Sequence, residues 1–392
     1  MTKESIKKLA LLGLCIYCIW LFSNIFYQHG NHQWDFRTYY YAVHAYLAGL
    51  NPYDTNILSR VAHTNIQLRY VYTPVTLILF RSLALVSYDT AYLIFLFLKI
   101  ISLAGLLYLW KKEFLKEDMD IPFYFFCLLA FNNAIYMDIS AGNISIFEQI
   151  FLWLGFYSFL KRKYTQFILF VLIASLFKLT PAFFLILLLF SEDKKKYAYF
   201  SISVFIFFAI LGISYLSTPD LFKQFIQNAY TLDERGIYRN SASFALLKDG
   251  FDYWAKQTGW QVWHITQSLV FLVIAIVIAA ISWQAYRKFL TVQKEDKEKL
   301  LIYLVCIVYA LIMPRFKDYS YILLLVPTYF IFKKSENKNT FIFLFIISII
   351  SPGNIYLPGL KFLYISLLSY YPLFLAFGIW VLYIFKFRNS DF

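Results

Sequence analysis

The sequence predicts an all-α polytopic membrane protein with about 12 transmembrane helices. Two observations favour this fold class. Hydrophobic residues make up 60% of the 392 positions and the mean hydropathy is +0.60, which is more apolar surface than a water-soluble core can bury. Apolar runs also recur along the whole chain, and a helix of about 20 apolar residues spans the roughly 30 Å of bilayer hydrocarbon. We therefore expect residues 1–392 to form a single transmembrane domain.

The apolar runs are separated by short polar loops. They lie at residues 9–27, 89–110, 121–138, 143–160, 165–190, 198–216, 264–286, 299–313, 319–332, 340–351 and 361–385. A further run, 72–87, is short and contains Pro74 and Arg81. We predict that it lies on or re-enters the outer face, and that run 165–190 is a tight hairpin broken at Pro181.

The distribution of Lys and Arg predicts the orientation in the membrane, because basic residues of short loops favour the cytoplasm. If run 72–87 does not cross the membrane and run 165–190 is a hairpin, the basic loops all fall on one side. They lie at residues 111–116, 161–163, 194–196, 287–299 and 333–338. Both termini are then cytoplasmic. The first run follows three lysines and lacks a small-residue cleavage site, so we interpret it as a retained anchor. The same distribution accounts for the net charge of +13 without a nucleic-acid partner.

Two long segments remain outside. Residues 28–88 form a first outer loop, in which we predict interfacial or re-entrant helices, and residues 217–263 form a second. The outer segments contain most of the acidic residues that are candidates for chemistry. Any active site is therefore expected at the outer face of the membrane.

Four charged residues near or within apolar runs each allow two interpretations. Asp35 is either the N-cap of a helix beginning at Phe36 or a base that removes a proton from an acceptor hydroxyl. Lys178 either snorkels or faces an anionic lipid head group. Snorkelling is the favoured interpretation of Lys99. Glu148 either forms an inter-helix hydrogen bond or faces a cavity.

Outer cations form a second group of candidates. Arg315 and Lys317 stand beside Asp318, and Arg235 and Arg239 lie in the second long loop. They are either solvated loop charges or a site for phosphate, which binds through charge-assisted hydrogen bonds. Metal-ligand spacings, Gly-rich phosphate loops and nucleophile elbows are missing from the sequence. We therefore predict no metal and no cofactor.

Several motifs, taken in order, resemble those of one family. The stretch from Trp34 to Ala42, followed by Leu47 to Asp54, resembles the opening signature of the GT87 (DUF2029) family of GT-C fold glycosyltransferases. Five later elements match the family's order. They are Tyr70-Val71-Tyr72-Thr73-Pro74, Gly142-Asn143, Lys178-Leu179-Thr180-Pro181, Asn240-Ser241 and Arg315-Phe316-Lys317-Asp318-Tyr319. The chain departs from the family in having one proline at Pro74 where two are usual, and Lys317 where many relatives have histidine.

The resemblance implies a GT-C fold and a hexosyltransferase reaction. A hexose, with mannose as the first candidate, would be transferred from a polyprenyl-phosphate donor to a glycolipid or glycan acceptor, with inversion at the anomeric carbon. The reaction would take place at the outer face of the cytoplasmic membrane. Asp35 would be the catalytic base, and Lys178, Arg315 and Lys317 would bind the lipid phosphate. The other substrate-binding candidates are Tyr39, Tyr40, Asn143, Glu148, Asn240 and Asp318.

Two other functions stay open. An O-antigen polymerase or ligase would use arginines and a histidine of a large outer loop, for which Arg235, Arg239 and His264 are candidates. A lipid-linked oligosaccharide flippase would show internal repeats with matching broken helices. The run 165–190 is a broken hairpin without an evident counterpart elsewhere in the sequence.

Overall fold

The computed structural model describes residues 3–27, 32–116, 121–231, 233–292, 296–334, 338–349 and 361–389. Within these ranges the regular structure is helical, apart from one isolated antiparallel bridge between Asn240 and Lys317. The prediction of an all-α chain is confirmed. The α-helices are α1 (Lys3–Tyr27), α2 (Trp34–Leu47), α3 (Thr55–Ala62), α4 (Pro74–Leu79), α5 (Tyr88–Leu109), α6 (Ile121–Ala141), α7 (Ser145–Leu160), α8 (Tyr164–Phe177), α9 (Lys196–Ser217), α10 (Pro219–Thr231), α11 (Ser243–Thr258), α12 (His264–Val292), α13 (Lys297–Ile312), α14 (Leu325–Lys333), α15 (Lys338–Ile349) and α16 (Lys361–Asn389).

Five segments of the described chain are long and apolar enough to cross a membrane. They are Tyr88–Leu115, Ile121–Ala141, Lys196–Ser217, His264–Leu290 and Ser366–Asn389. Shorter apolar helices accompany them at Leu11–Ile25, Ser145–Leu160, Tyr164–Phe177, Thr180–Phe190 and Asn339–Ile349. The protein therefore has the character of a membrane protein with several spans, and the count of about 12 stays a prediction.

By internal packing the chain divides into two compact units. The first comprises Met1–Glu113 and Asp138–Leu232, and the second comprises Phe114–Met137 and Asp233–Phe392. Each unit has its own buried aromatic core. Phe36, Tyr39 and Trp153 are among the fully or almost fully buried side chains of the first, and Tyr303 and Tyr321 of the second.

In residues 32–87, the described part of the first outer loop, the helices are short. After α2 and α3, the run 72–87 forms α4, of 6 residues, and a 3₁₀ helix Arg81–Leu85, of 5 residues. Their lengths are about 9 Å and 10 Å, well below the roughly 30 Å of a bilayer core. Their interfacial or re-entrant placement stays a prediction.

Two apolar runs depart from continuous helix. Helix α6 is interrupted at residues 130–133, where Phe131, Asn132 and Asn133 all have left-handed φ values of 54° to 57°. This conformation is costly for residues other than glycine, although asparagine tolerates it better than most. The hairpin 165–190 breaks at Lys178, whose backbone is extended, and a 3₁₀ helix resumes at Thr180. Pro181 falls in its first turn, where a missing N–H is tolerated, so the break lies three residues before the predicted one.

Candidate active site

A tight turn connects α6 to α7 and carries Asn143. The Gly142 N–H donates to the carbonyl of Ile139 at 3.2 Å, and the Asn143 N–H donates to the carbonyl of Asp138 at 3.1 Å. This pair of bonds is a Schellman motif, which places its first residue past the helix in the left-handed region. Gly142 has φ +68°, and a Cβ there would lie 2.7 Å from Phe36 Cβ. Glycine is required for both reasons, and Asn143 is held directly before α7.

The side chain of Asn143 is oriented by its neighbours. The backbone N–H and the hydroxyl of Ser145 donate to Asn143 Oδ1 at 3.0 Å and 2.8 Å. Since the oxygen takes these donors, Nδ2 faces the opposite way. It donates to Asp35 Oδ2 at 2.7 Å and lies 3.2 Å from the Tyr39 hydroxyl and 3.4 Å from that of Tyr72. The amide of Asn143 is fully buried.

Asp35 lies in the first turn of α2 but does not cap it. The helix begins at Trp34, and the N-cap position belongs to Gln33. The N-cap interpretation of Asp35 is therefore wrong. The carboxylate instead accepts from Asn143, and the residue is only 9% exposed.

Gln33 ties the start of α2 to the end of α6. Its backbone N–H donates to the carbonyl of Ser140 at 2.7 Å, and its side-chain Nε2 donates to the carbonyl of Ile139 at 2.7 Å. The last turn of a helix leaves carbonyls without intrahelical partners. Because Gln33 binds two carbonyls of this last turn, Asp35 is held at a fixed place beside the turn.

The two predicted tyrosines of α2 have different surroundings. Tyr39 is one helical turn from Asp35 and shares its face, and its hydroxyl lies 2.7 Å from that of Tyr72. Tyr40 faces elsewhere and donates to the carbonyl of Val86 at 2.8 Å. Only Tyr39 joins the network of Asp35, while the contacts of Tyr40 are those of packing.

Lys178 and Glu148 form an ion pair. Lys178 Nζ lies 2.8 Å from Glu148 Oε2 and donates to Ser145 Oγ at 2.6 Å. The ammonium is thus bound by two side chains, and Glu148 makes an inter-helix contact. Ser145 connects Lys178 to Asn143, so four residues predicted separately from the sequence form one connected network with Asp35.

Sequence reasoning missed the partner of Lys99. Both Lys99 and Asp138 are fully buried, and Lys99 Nζ lies 2.7 Å from Asp138 Oδ2. The ammonium also donates to the backbone carbonyls of Asp138 and Asn143, at 2.6 Å and 2.7 Å. Opposite charges in two apolar runs were the available signal, since such charges require partners.

The connected polar residues around the turn between α6 and α7 form one cluster. We name it the turn cluster: Asp35, Lys99, Asp138, Asn143, Ser145, Glu148 and Lys178.

A second charged group lies in the second unit. The Glu234 carboxylate contacts Arg315 Nε at 2.5 Å and Lys317 Nζ at 2.6 Å. Asn240 aligns the two loops, because its Oδ1 accepts from the Phe316 N–H at 2.9 Å and its Nδ2 donates to the Glu234 carbonyl at 3.0 Å. The side chain of Asn240 is thus used by the backbone of both loops. Sequence reasoning did not select Glu234.

Asp318 completes this group. Ser241 Oγ donates to its Oδ1 at 2.5 Å, and Arg239 Nη1 lies 3.8 Å from its Oδ2. Burial raises the pKa of Asp318 to about 6, against the opposing effects of Ser241, Arg239 and Lys317. For Glu234, burial also acts to raise the pKa, but Arg315 and Lys317 outweigh it and the net shift is downward. We name this set the loop cluster: Glu234, Arg239, Asn240, Arg315, Lys317 and Asp318.

The comparison with protein families decides the class of the protein. The model of glycosyltransferase family 87 matches residues 70–314, which is more than half of the 392-residue chain. The chain belongs to glycosyltransferase family 87. It is therefore a membrane glycosyltransferase, and the resemblance stated from its motifs is confirmed. No curated protein and no solved structure matched the chain in the other two comparisons.

The matched range divides the candidate residues of this family 87 glycosyltransferase. It includes Asn143, Lys178 and Asn240, begins after Asp35, and ends just before Arg315. In chemical terms, the turn cluster offers a buried carboxylate with an amide donor, and the loop cluster offers cations close to the surface.

Arg235, one of the candidates of the polymerase alternative, lies among three carboxylates of the second unit. Its guanidinium pairs with Asp233 at 2.8 Å, Asp249 at 3.2 Å and Asp252 at 2.9 Å. The bond from Arg235 lowers the pKa of Asp233 to about 2, with burial opposing and Lys248 assisting. An arginine bound to three carboxylates is held in place by the fold.

Proposed function

We propose that this glycosyltransferase moves a hexose, with mannose as the first candidate, from a polyprenyl-phosphate donor to a glycolipid or glycan acceptor. The transfer takes place at the outer face of the cytoplasmic membrane and inverts the anomeric carbon. One observation carries the proposal: the 2.7 Å hydrogen bond from Asn143 to the nearly buried carboxylate of Asp35.

Asp35 acts as the general base. An amide donor favours the ionised carboxylate, which can accept a proton. The acceptor hydroxyl gives its proton to Asp35 as its oxygen forms a bond to the anomeric carbon. The bond from that carbon to the phosphate oxygen breaks at the same time, and the lipid phosphate leaves with the electron pair.

Cations bind the leaving phosphate. Lys178 is connected to Asp35 through Ser145 and Asn143. Arg315 and Lys317 are assigned by the resemblance of their motif to that of the family, in which many relatives have histidine at the position of Lys317. Groups that bind the phosphate more strongly as its charge develops lower the barrier. Each cation already pairs with a carboxylate, Glu148 or Glu234, so the phosphate must share or displace that partner.

The sidedness rests on the basic loops. Placing Lys and Arg of the short basic loops inside leaves the first and second outer loops, and the turn between the apolar runs 299–313 and 319–332, on the opposite face. Asp35 lies in the first outer loop and Arg315 in this turn. The N- and C-termini are then cytoplasmic.

The test is transfer of radiolabelled sugar from a panel of polyprenyl-phosphate hexoses into membrane lipid or glycan. We expect the intact protein to transfer from at least one donor and Asp35→Asn to lose about 10²- to 10⁴-fold of the rate, the usual contribution of a positioned base. Asp252→Asn, at a carboxylate that contacts Arg235, is the matched control and should retain transfer.

The outcomes separate the parts of the proposal. Transfer that survives in Asp35→Asn would remove Asp35 as base while leaving the donor class standing. Absence of transfer from every donor by the intact protein would refute the donor class and favour a polymerase or a flippase.

A further inference from the structure

The Lys99–Asp138 ion pair has no role in the reaction as proposed. Both side chains are fully buried. Removing two charges from water costs several kcal/mol per ion, and apolar side chains of similar volume often stabilise a fold as well or better. Packing alone is therefore a poor explanation for this pair.

Each hydrogen of the Lys99 ammonium has an acceptor. The three acceptors are Asp138 Oδ2 at 2.7 Å, the Asp138 carbonyl at 2.6 Å and the Asn143 carbonyl at 2.7 Å. An ammonium has three donors and no more, so Lys99 is saturated by the protein. The two carbonyls belong to the first and last residues of the Schellman turn. One ammonium thus holds both ends of the turn.

Asp138 extends this contact towards α7. Its Oδ1 accepts from the Ser145 N–H at 3.1 Å. The same N–H also contacts Asn143 Oδ1, and the Ser145 hydroxyl donates to that oxygen. The ion pair therefore fixes the backbone of Asn143 directly, and it fixes through Ser145 the orientation of the amide that meets Asp35.

We propose that Lys99 and Asp138 are positioning residues, which hold the turn 138–145 so that Asn143 Nδ2 meets the carboxylate of Asp35. They act through Asn143 and not on the substrate. The kinetic part of this inference rests on the proposed role of Asp35 as base. The geometric part, the bond between Asn143 and Asp35, does not.

The kinetic test compares Lys99→Met with Lys299→Met. Lys299 is the matched control, because its side chain is also buried and lies 2.9 Å from a carboxylate, Asp296. We expect Lys99→Met to lower kcat by about 10²-fold, the cost of a misplacement of about 1 Å at a reacting group. The KM for the donor should stay within about 2-fold. Lys299→Met should leave both constants unchanged. An unchanged kcat in Lys99→Met, or a loss confined to KM, would overturn the inference.

A double-mutant cycle tests whether Lys99 acts through Asn143. If it does, Lys99→Met adds nothing to the loss already caused by Asn143→Ala, because residues acting in one network are not additive. Losses that multiply would mean that Lys99 acts independently and would refute the positioning role.

Misfolding is separated from misplacement by a second variant. Lys99→Met combined with Asp138→Leu removes both charges and keeps apolar volume, which should restore thermal stability in detergent. We expect this folded variant to keep the low kcat of Lys99→Met. A return of kcat to the wild-type value would show that the pair only avoids an unpaired charge.

Infrared spectroscopy gives a readout that needs no sugar donor. The carboxylate stretch of Asp35, isolated by difference from Asp35→Asn, reports its hydrogen bond. We expect the band to shift in Lys99→Met and not in Lys299→Met. An unshifted band would refute the inference whatever the activity. A shifted band in a protein that transfers no sugar would support the inference and count against the proposed function.

Discussion

The turn cluster and the loop cluster are built from the same kinds of side chain but differ in exposure and charge. In the turn cluster the lysine side chains are 0% and 17% exposed. In the loop cluster the side chains of Arg239, Arg315 and Lys317 are 58%, 40% and 13% exposed. The loop cluster is the more exposed of the two because of its two arginines.

The net charges also have opposite signs. In the turn cluster two lysines face three carboxylates, which leaves one negative charge, and in the loop cluster three cations face two carboxylates, which leaves one positive charge. A buried site with an excess carboxylate suits a base, and an exposed site with an excess cation suits an anion. The comparison favours different roles for the two clusters, proton removal and phosphate binding.

Among the changes that test this division of roles between the two clusters, the largest effect is expected from Asn143→Asp. The change replaces the donor to Asp35 with a second carboxylate, and like charges at hydrogen-bond distance cannot both stay ionised. One of the pair is then protonated at neutral pH, so we expect the transfer rate to fall by about 10²- to 10³-fold, within the range for loss of a general base. The measurement is the initial rate per mole of folded protein.

Asn228→Asp is the control for that variant. Asn228 lies in the same unit but far along the chain from Asp35. Its Nδ2 donates to the carbonyl of Tyr53 at 2.8 Å. The control should lose stability and keep its rate. If Asn143→Asp retained wild-type transfer, the assignment of proton removal to the turn cluster would be wrong.

An intermediate effect is expected when the loop cluster loses two cations. In Arg315→Gln combined with Lys317→Gln, kcat/KM for the donor should fall about 10- to 100-fold. This loss corresponds to about 1.5–3 kcal/mol in total, the contribution of one hydrogen bond to a charged group, because both cations are shared with Glu234. Salt should weaken the wild type more than the variant, because exposed charges are screened over about 8 Å at physiological ionic strength. Lys248→Gln, at a lysine that pairs with Asp233, is the control. Equal salt dependence in all three proteins would contradict phosphate binding by this cluster.

Much of the fold follows from one-dimensional patterns. Apolar runs of sufficient length predict helices, and the motif Lys178-Leu179-Thr180-Pro181 predicts a break that the structure places at Lys178. The interruption of α6 at Phe131 to Asn133 has only a weak signal, because the segment contains neither glycine nor proline, and its two asparagines merely tolerate the left-handed region. Such a backbone persists where the surrounding structure determines it.

The sequence predicts those residues of the candidate site that belong to local motifs, but not the pairs that form between distant positions. Asn143 and Lys178 belong to short motifs, and the spacing of Tyr39 from Asp35 could have separated it from Tyr40, because residues four apart share a helical face. Lys99 and Asp138 are 39 positions apart. A sequence shows that each of two buried charges needs a partner, but not which partner the fold supplies.

The smallest effect is expected from the titration of Asp318, which tests whether the loop cluster includes a buried carboxylate with a raised pKa. The pKa of Asp318 is about 6 when folded, above the ordinary value of 3.8, because burial disfavours its charge. Folding then binds a proton in the interval between these values, so the free energy of unfolding should fall as pH rises from 4.5 to 6.5, by about 2 kcal/mol. The lowered pKa of Glu234 acts in the opposite sense, but only near and below its ordinary value of 4.5. Thermal unfolding in detergent measures the slope, and Asp318→Asn should remove this contribution. A slope that persists unchanged in Asp318→Asn would assign the titration to another group and leave the loop cluster without its buried acid.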